Sequence, residues 1–131
     1  MKTEKSIEEV LQEEFLRERA AVLAKAAEKL TNTLRQLAHI EESIIKESKT
    51  ISGPPFREND HKGSIGETPP RNRSTLIEIN QRIDHFNKVR ETAKIQYYYL
   101  IVTREALGLR KHHWVEEFYA IPPKKKYMKD N

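Results

Sequence analysis

Apolar residues recur along the first third of the chain at a fixed interval. Leu16, Leu23, Leu30, Leu37 and Ile44 stand seven apart, and Ala20, Ala27, Leu34 and Glu41 follow the first four of them by four residues. A 4-3 spacing sustained over four heptads predicts a helix that buries one narrow stripe against another helix. Ser6 and Glu9 have the spacing of a capping box, and Glu8, Glu9, Glu13 and Glu14 favour the positive end of a helix dipole. With no glycine or proline between Met1 and Ser52, the first helix is predicted over residues 6–48.

A second apolar ladder runs through Leu76, Ile79, Ile83, Phe86, Ala93, Tyr97, Leu100 and Leu107. The Thr75 and Glu78 pair repeats the capping-box spacing, and Gly108 suits a left-handed C′ position, which predicts a second helix over residues 75–108. From Ile95 to Val102 apolar residues cover every side. A buried strand would read the same way, but the flanking periodicity favours helix. Trp114, Val115, Phe118 and Tyr119 then form one face of a short helix over residues 110–120, stopped by Pro122-Pro123.

Between the long helices, residues 49–74 mix Gly53-Pro54-Pro55, Gly63, Gly66 and Pro69-Pro70 with charges, so an irregular connection is predicted there. Residues 121–131 are polar and are expected to fray. The fold class is therefore all-α. The expected architecture is one domain, residues 1–131, built as a long, coiled-coil-like antiparallel helical hairpin with an irregular loop and a short C-terminal helix.

Pairing Ser48 with Thr75 fixes a trial register. It sets five alanines (Ala20, Ala21, Ala24, Ala26, Ala27) opposite the Tyr97-Tyr98-Tyr99 block, small against large. It also places Glu41 opposite Arg82, puts Arg104 opposite Arg19 with Glu18 beside it, and lets the Trp114 segment cover the hairpin's open end near Ile7 and Val10.

Composition narrows the function classes. The chain has 131 residues, 34% charged and 37% hydrophobic, which suits solvated helices with a thin core. With no cysteine, disulfides, cysteine-ligated zinc and a cysteine nucleophile are excluded. No stretch approaches the ~18 apolar residues of a membrane span, and the acidic start has no leader-like run, so a cytoplasmic protein without membrane attachment is expected. The net charge of +4 sits mainly in residues 49–74 and 109–131, which suggests a less favoured role in binding nucleic acid through that loop and the C-terminal lysines.

Candidate chemistry is sparse. His39 and Glu42 share a helix face at the height of Asp84 and His85, but their heptad positions point away from the seam, so no metal is expected there. His112 and His113 with Glu116 and Glu117 form i, i+4 pairs on the face of the short helix opposite Trp114 and Phe118, which is expected to be solvated. Gly63-Ser64-Ile65-Gly66 lacks the Lys-Ser/Thr of a phosphate loop, and no Gly-x-Ser-x-Gly elbow occurs. Neither an enzymatic activity nor a cofactor is expected. Three consecutive tyrosines cannot all face one neighbour, so Tyr97, Tyr98, Tyr99, Ile101, Trp114, Phe118 and Tyr119 are the candidate protein-interaction surface. Phe15, Val22, Ile40, Ile45, Ile77 and Ile101 lie beside the ladders and need further cover, which a homodimer forming a four-helix bundle would give.

Overall fold

The Ser6 hydroxyl accepts a hydrogen bond from the Glu9 amide at 3.2 Å, closing the predicted cap of the first helix. In the computed structural model, which describes residues 6–51 and 70–129, this helix is α1, Ile7–Ile51. The second, α2, is Pro70–Ala106, and the short α3 is His113–Phe118. The two long helices pack against each other as an antiparallel hairpin, and no strand occurs among the described residues. No described helix is long and apolar enough to cross a membrane.

Both long helices extend into the predicted loop. Nothing stops α1 until Ile51, just before Gly53. Pro70 opens α2, where a missing N–H leaves no intrahelical bond unmade. Thr75 therefore lies inside the helix instead of capping it, and the remainder of the predicted loop, Gly63–Gly66 included, falls outside the described residues.

The α2 ladder is buried as its spacing requires. Ile79, Ile83, Phe86, Ala93 and Leu100 are at most 2% exposed, the positions between them in the same 3-4 rhythm, Arg90 and Tyr97, are half-buried, and the next one, Arg104, is buried. On α1 the column Leu30, Leu37 and Ile44 is buried, but its companion is Ala26, Thr33 and Ile40, three residues after each anchor, not the predicted Ala27, Leu34 and Glu41 four after. Thr33 tolerates burial because its hydroxyl donates to the Lys29 carbonyl at 3.0 Å. Leu16 and Ala20 are exposed, so the ladder is a core only from Leu23 onward.

The chain divides into two compact units, Met1–Leu34 with Thr92–Ile121 and Arg35–Glu91 with Pro122–Asn131. The first unit's core is Ala26, Leu30, Ala93, Leu100 and Val115, and the second's is Leu37, Ile40, Ile44, Ile79, Ile83 and Phe86. In the first unit, Arg19 Nη1 donates to the carbonyl of Ala106, the last residue of α2, at 3.4 Å. The first turns of α1 therefore run past the end of α2, and Ile7, Leu11 and Leu16 are exposed there.

α2 ends in a Schellman turn. The Leu109 amide donates to the Arg104 carbonyl and the Gly108 amide to the Glu105 carbonyl, each at 2.9 Å, with Gly108 at φ 86°. A β-carbon at Gly108 would meet nothing within 4 Å, so only backbone strain opposes a side chain there. Gly108→Ala is expected to destabilise the protein by about 1–2 kcal/mol in urea unfolding, and Gly108→Asn by less, the usual left-handed penalties.

Candidate functional site

The alanine-rich stretch of α1 lies beside α3 and Leu100 of α2. Ala20, Leu23, Ala24 and Ala27 line a concavity with Leu100 and Arg104 of α2 and with Trp114, Val115 and Tyr119. Small side chains on α1 leave the depth that a fully buried Val115 occupies, while Trp114, 46% exposed, lines the concavity. The Trp114 segment thus lies on 20–27 and leaves Ile7 and Val10 exposed, contrary to the expected cover of the hairpin's end. Arg104 holds it there: its Nη2 donates to the Lys111 carbonyl at 3.0 Å, its Nε to His112 Nδ1 at 3.3 Å, and its guanidinium lies 4.8 Å from the Trp114 ring centre. Since His112 accepts at Nδ1, its proton is on Nε2, which donates to Glu105 at 3.3 Å. Arg104 therefore anchors a turn.

The candidate aromatic surface is divided between two faces of the first unit. Trp114 and Tyr119 line the concavity over the alanines, and Phe118 packs edge-on against Tyr119 with ring centres 4.9 Å apart. Burial pushes the Tyr97 phenol above its ordinary pKa, and the Glu116 carboxylate adds to the rise. Tyr99 instead lines a separate groove of about 410 Å³ with Phe15, Val22, Val102, Ala106 and Leu107, with Glu18 and Arg19 among its polar residues. The Arg19 guanidinium lies 4.2 Å over the Phe15 ring. Tyr98 is exposed and Ile101 half-buried.

Residues 122–129 of the second unit are not frayed. They are held along α2 by Arg90 of its ladder and by side chains one step beside that ladder. Asn87 donates to the Lys125 carbonyl at 3.0 Å and accepts from the Lys125 amide at 2.9 Å. Asn80 does the same for Met128, at 3.0 and 2.8 Å. Arg90 Nε donates to the Pro122 carbonyl at 2.7 Å, and the Tyr127 hydroxyl donates to Asp84 at 2.8 Å. Lys125 Nζ lies 3.3 Å from Glu41 and 4.9 Å from the Phe86 ring centre. This explains why Glu41 does not meet Arg82: the segment supplies its cation, and Arg82 reaches Glu47 instead, almost two turns further along α1. None of these asparagine contacts was foreseen from the sequence. The available signal was two asparagines seven apart beside an apolar ladder, in a helix where asparagine is a poor former.

Tyr127's hydrogen bond, then Lys88's hydrogen bond and charge, hold the Asp84 carboxyl below its ordinary pKa, and the same bond raises the Tyr127 phenol. The carboxylate's contribution is present above the ordinary aspartate pKa and is lost as pH falls through the lowered one. The phenol's is present below the ordinary tyrosine value and is lost as pH rises through the raised one. Tyr127→Phe is expected to return the Asp84 pKa toward its ordinary value, read by NMR titration of the carboxyl carbon. An unmoved titration would place the cause elsewhere.

Of the histidine clusters, His39 and His85 are exposed, and Asp84 is engaged by Tyr127 and Lys88. No group of three or more histidine, aspartate or glutamate side chains suited to a metal occurs among the described residues. Comparison of the chain with protein-family models, curated proteins and solved structures finds no match.

Proposed function

We propose that this chain is a non-enzymatic protein-interaction module, a scaffold or adaptor hairpin, that associates with a second copy of itself through the open groove of its first unit. The observation that carries this reading is the groove's composition. Phe15 and Val22 from α1 meet Tyr99 and Val102 from α2 along one concave line, and all four are more than 40% exposed. Exposed apolar side chains gathered on two adjoining helices are what a helix-pair interface buries. Two such faces brought together complete a four-helix bundle, in which Glu18 of one copy and Arg19 of the other offer rim pairs of opposite sign. The aromatic side chains of α3 supply a second apolar surface for a different protein partner.

Sedimentation equilibrium at tens of micromolar is expected to give twice the 15.4 kDa chain mass, and Val22→Glu with Val102→Glu to give the chain mass alone with an unchanged helical spectrum. A wild-type protein that sediments only as the single chain overturns self-association. A salt-sensitive complex with a nucleic-acid probe would instead favour a role for the basic segments.

A further inference from the structure

Residues 122–129 are bound to α2 in a way that covalent attachment alone does not require. Their contacts repeat every third residue: Pro122, Lys125 and Met128 are each fixed through main-chain atoms by Arg90, Asn87 and Asn80. Burial follows the same rhythm, since these three are half-buried whereas residues 123, 124, 126, 127 and 129 are exposed. A β-strand would turn alternate residues to the helix, so a period of three identifies a polyproline-II course, which the prolines at 122 and 123 favour.

The receptor spacing matches that course. Seven helical residues rise about 10.5 Å, and three polyproline-II residues span about 9.3 Å. Two asparagines at i and i+7 can therefore each meet a residue three further along an antiparallel peptide. Each carboxamide offers one acceptor and a donor to the peptide unit's own donor and acceptor, which is a reading of main chain and not of side-chain identity.

We infer that Asn80, Asn87 and Arg90 form a binding site for a polyproline-II peptide, which segment 122–129 occupies in cis and which a partner peptide of the same spacing takes in its place. This site is distinct from the groove proposed for self-association and does not depend on it. Its ligand class follows from the contacts. The first position gives only a carbonyl, to Arg90, and so accepts proline. Three residues later the peptide must keep its N–H and carry a long cation, which Glu41 and the Phe86 ring receive. Three further on it must again keep its N–H, beside a flexible apolar side chain whose sulfur in the cis segment lies 3.6 Å from the Ser48 hydroxyl. The pattern is Pro-x-x-Lys-x-x-Met or a close equivalent.

A tethered segment competes at an effective concentration of order millimolar, so the site must be vacated to be measured. In the full chain, Lys125→Pro with Met128→Pro removes the two N–H groups that Asn87 and Asn80 accept from and leaves the receptor side chains intact. A fluorescein-labelled peptide of residues 121–131 is expected to bind this variant at least tenfold more tightly than it binds wild type, by fluorescence anisotropy. The same peptide N-methylated at the positions of Lys125 and Met128 is expected to bind neither. Equal binding to both chains, binding that survives N-methylation, or no binding to a variant with the wild-type helical spectrum would each overturn the inference. If that variant does not fold, the unlabelled peptide is titrated to millimolar concentration against wild type. It must then accelerate amide exchange at the chain's own Lys125 and Met128, and unchanged exchange would overturn the inference equally.

Discussion

Phe86→Ala is expected to cost about 3–5 kcal/mol of stability, the range for truncating a fully buried aromatic side chain. Phe86 is 0% exposed and shares the second unit's core with Leu37, Ile40, Ile44, Ile79 and Ile83. Those neighbours come from two continuous helices packed along their length, which relax only partly around a lost ring. The cavity therefore persists and adds to the lost transfer free energy. The ring also carries the Lys125 ammonium 4.9 Å from its centre, a contact of about 0.5–2 kcal/mol that disappears with it. Against a total stability of about 5–15 kcal/mol for an ordinary domain, a loss of this size removes a large fraction of the whole. Urea unfolding should show a lower midpoint with an unchanged slope. The control is Ile77, on the same helix but 59% exposed, where alanine is expected to change stability by no more than about 0.5 kcal/mol. A cost below about 1 kcal/mol at Phe86, or equal costs at both positions, would contradict the placement of this core.

The α2 ladder was legible because its members are apolar and spaced at helical intervals. Arg90 and Arg104 belong to the same ladder but are hidden by their charge, since pattern reading assigns arginine to solvent. What brings them inside is the run of carbonyls presented by residues 111 and 122, and a sequence does not announce a main-chain acceptor. The misplaced α1 column has a similar origin. Ala26 and Ala27 are equivalent to any pattern, and Thr33 counts as polar until its hydroxyl is seen to close on its own helix. Both α1 columns hold apolar residues because this helix has more than one neighbour. In the first unit, Ala26 is buried while Ala27 lines a concavity with Trp114 and Val115. The short distance from Gly108 to Trp114 was visible in the sequence, but the direction of the turn was not. It depends on a left-handed glycine followed by capture of the chain by Arg104. Of the candidate interaction residues, Trp114 and Tyr119 line one concavity, and Phe118 packs against Tyr119. The three tyrosines face different ways, as their succession requires, because consecutive helical residues point about 100° apart: Tyr99 lines the groove and Tyr98 is exposed outside it.

Arg104→Ala is expected to release α3 from the alanine face at a cost of about 3 kcal/mol. Arg104 is 7% exposed, and it fixes the turn at three levels. Its carbonyl accepts the Leu109 amide of the Schellman turn, its guanidinium satisfies the Lys111 carbonyl and His112 Nδ1, and the same group lies over the Trp114 ring. Alanine keeps the first contact and loses the others. A part-buried carbonyl left without its donor costs about 1–3 kcal/mol and the lost cation–π contact about 0.5–2 kcal/mol. Lysine is not expected to rescue the variant, because a single ammonium cannot place two donors in a fixed fork and also stack on an indole. The effect is local, since α1 and α2 keep the ladder below this point, and it has a specific reporter in Trp114, the chain's one tryptophan. The tryptophan emission of Arg104→Ala should shift to the red and its urea transition should move to lower denaturant than the helical transition followed by circular dichroism. In wild type the two transitions should coincide. Coincident transitions at the wild-type midpoint in the variant would show that Arg104 does not hold α3 in place.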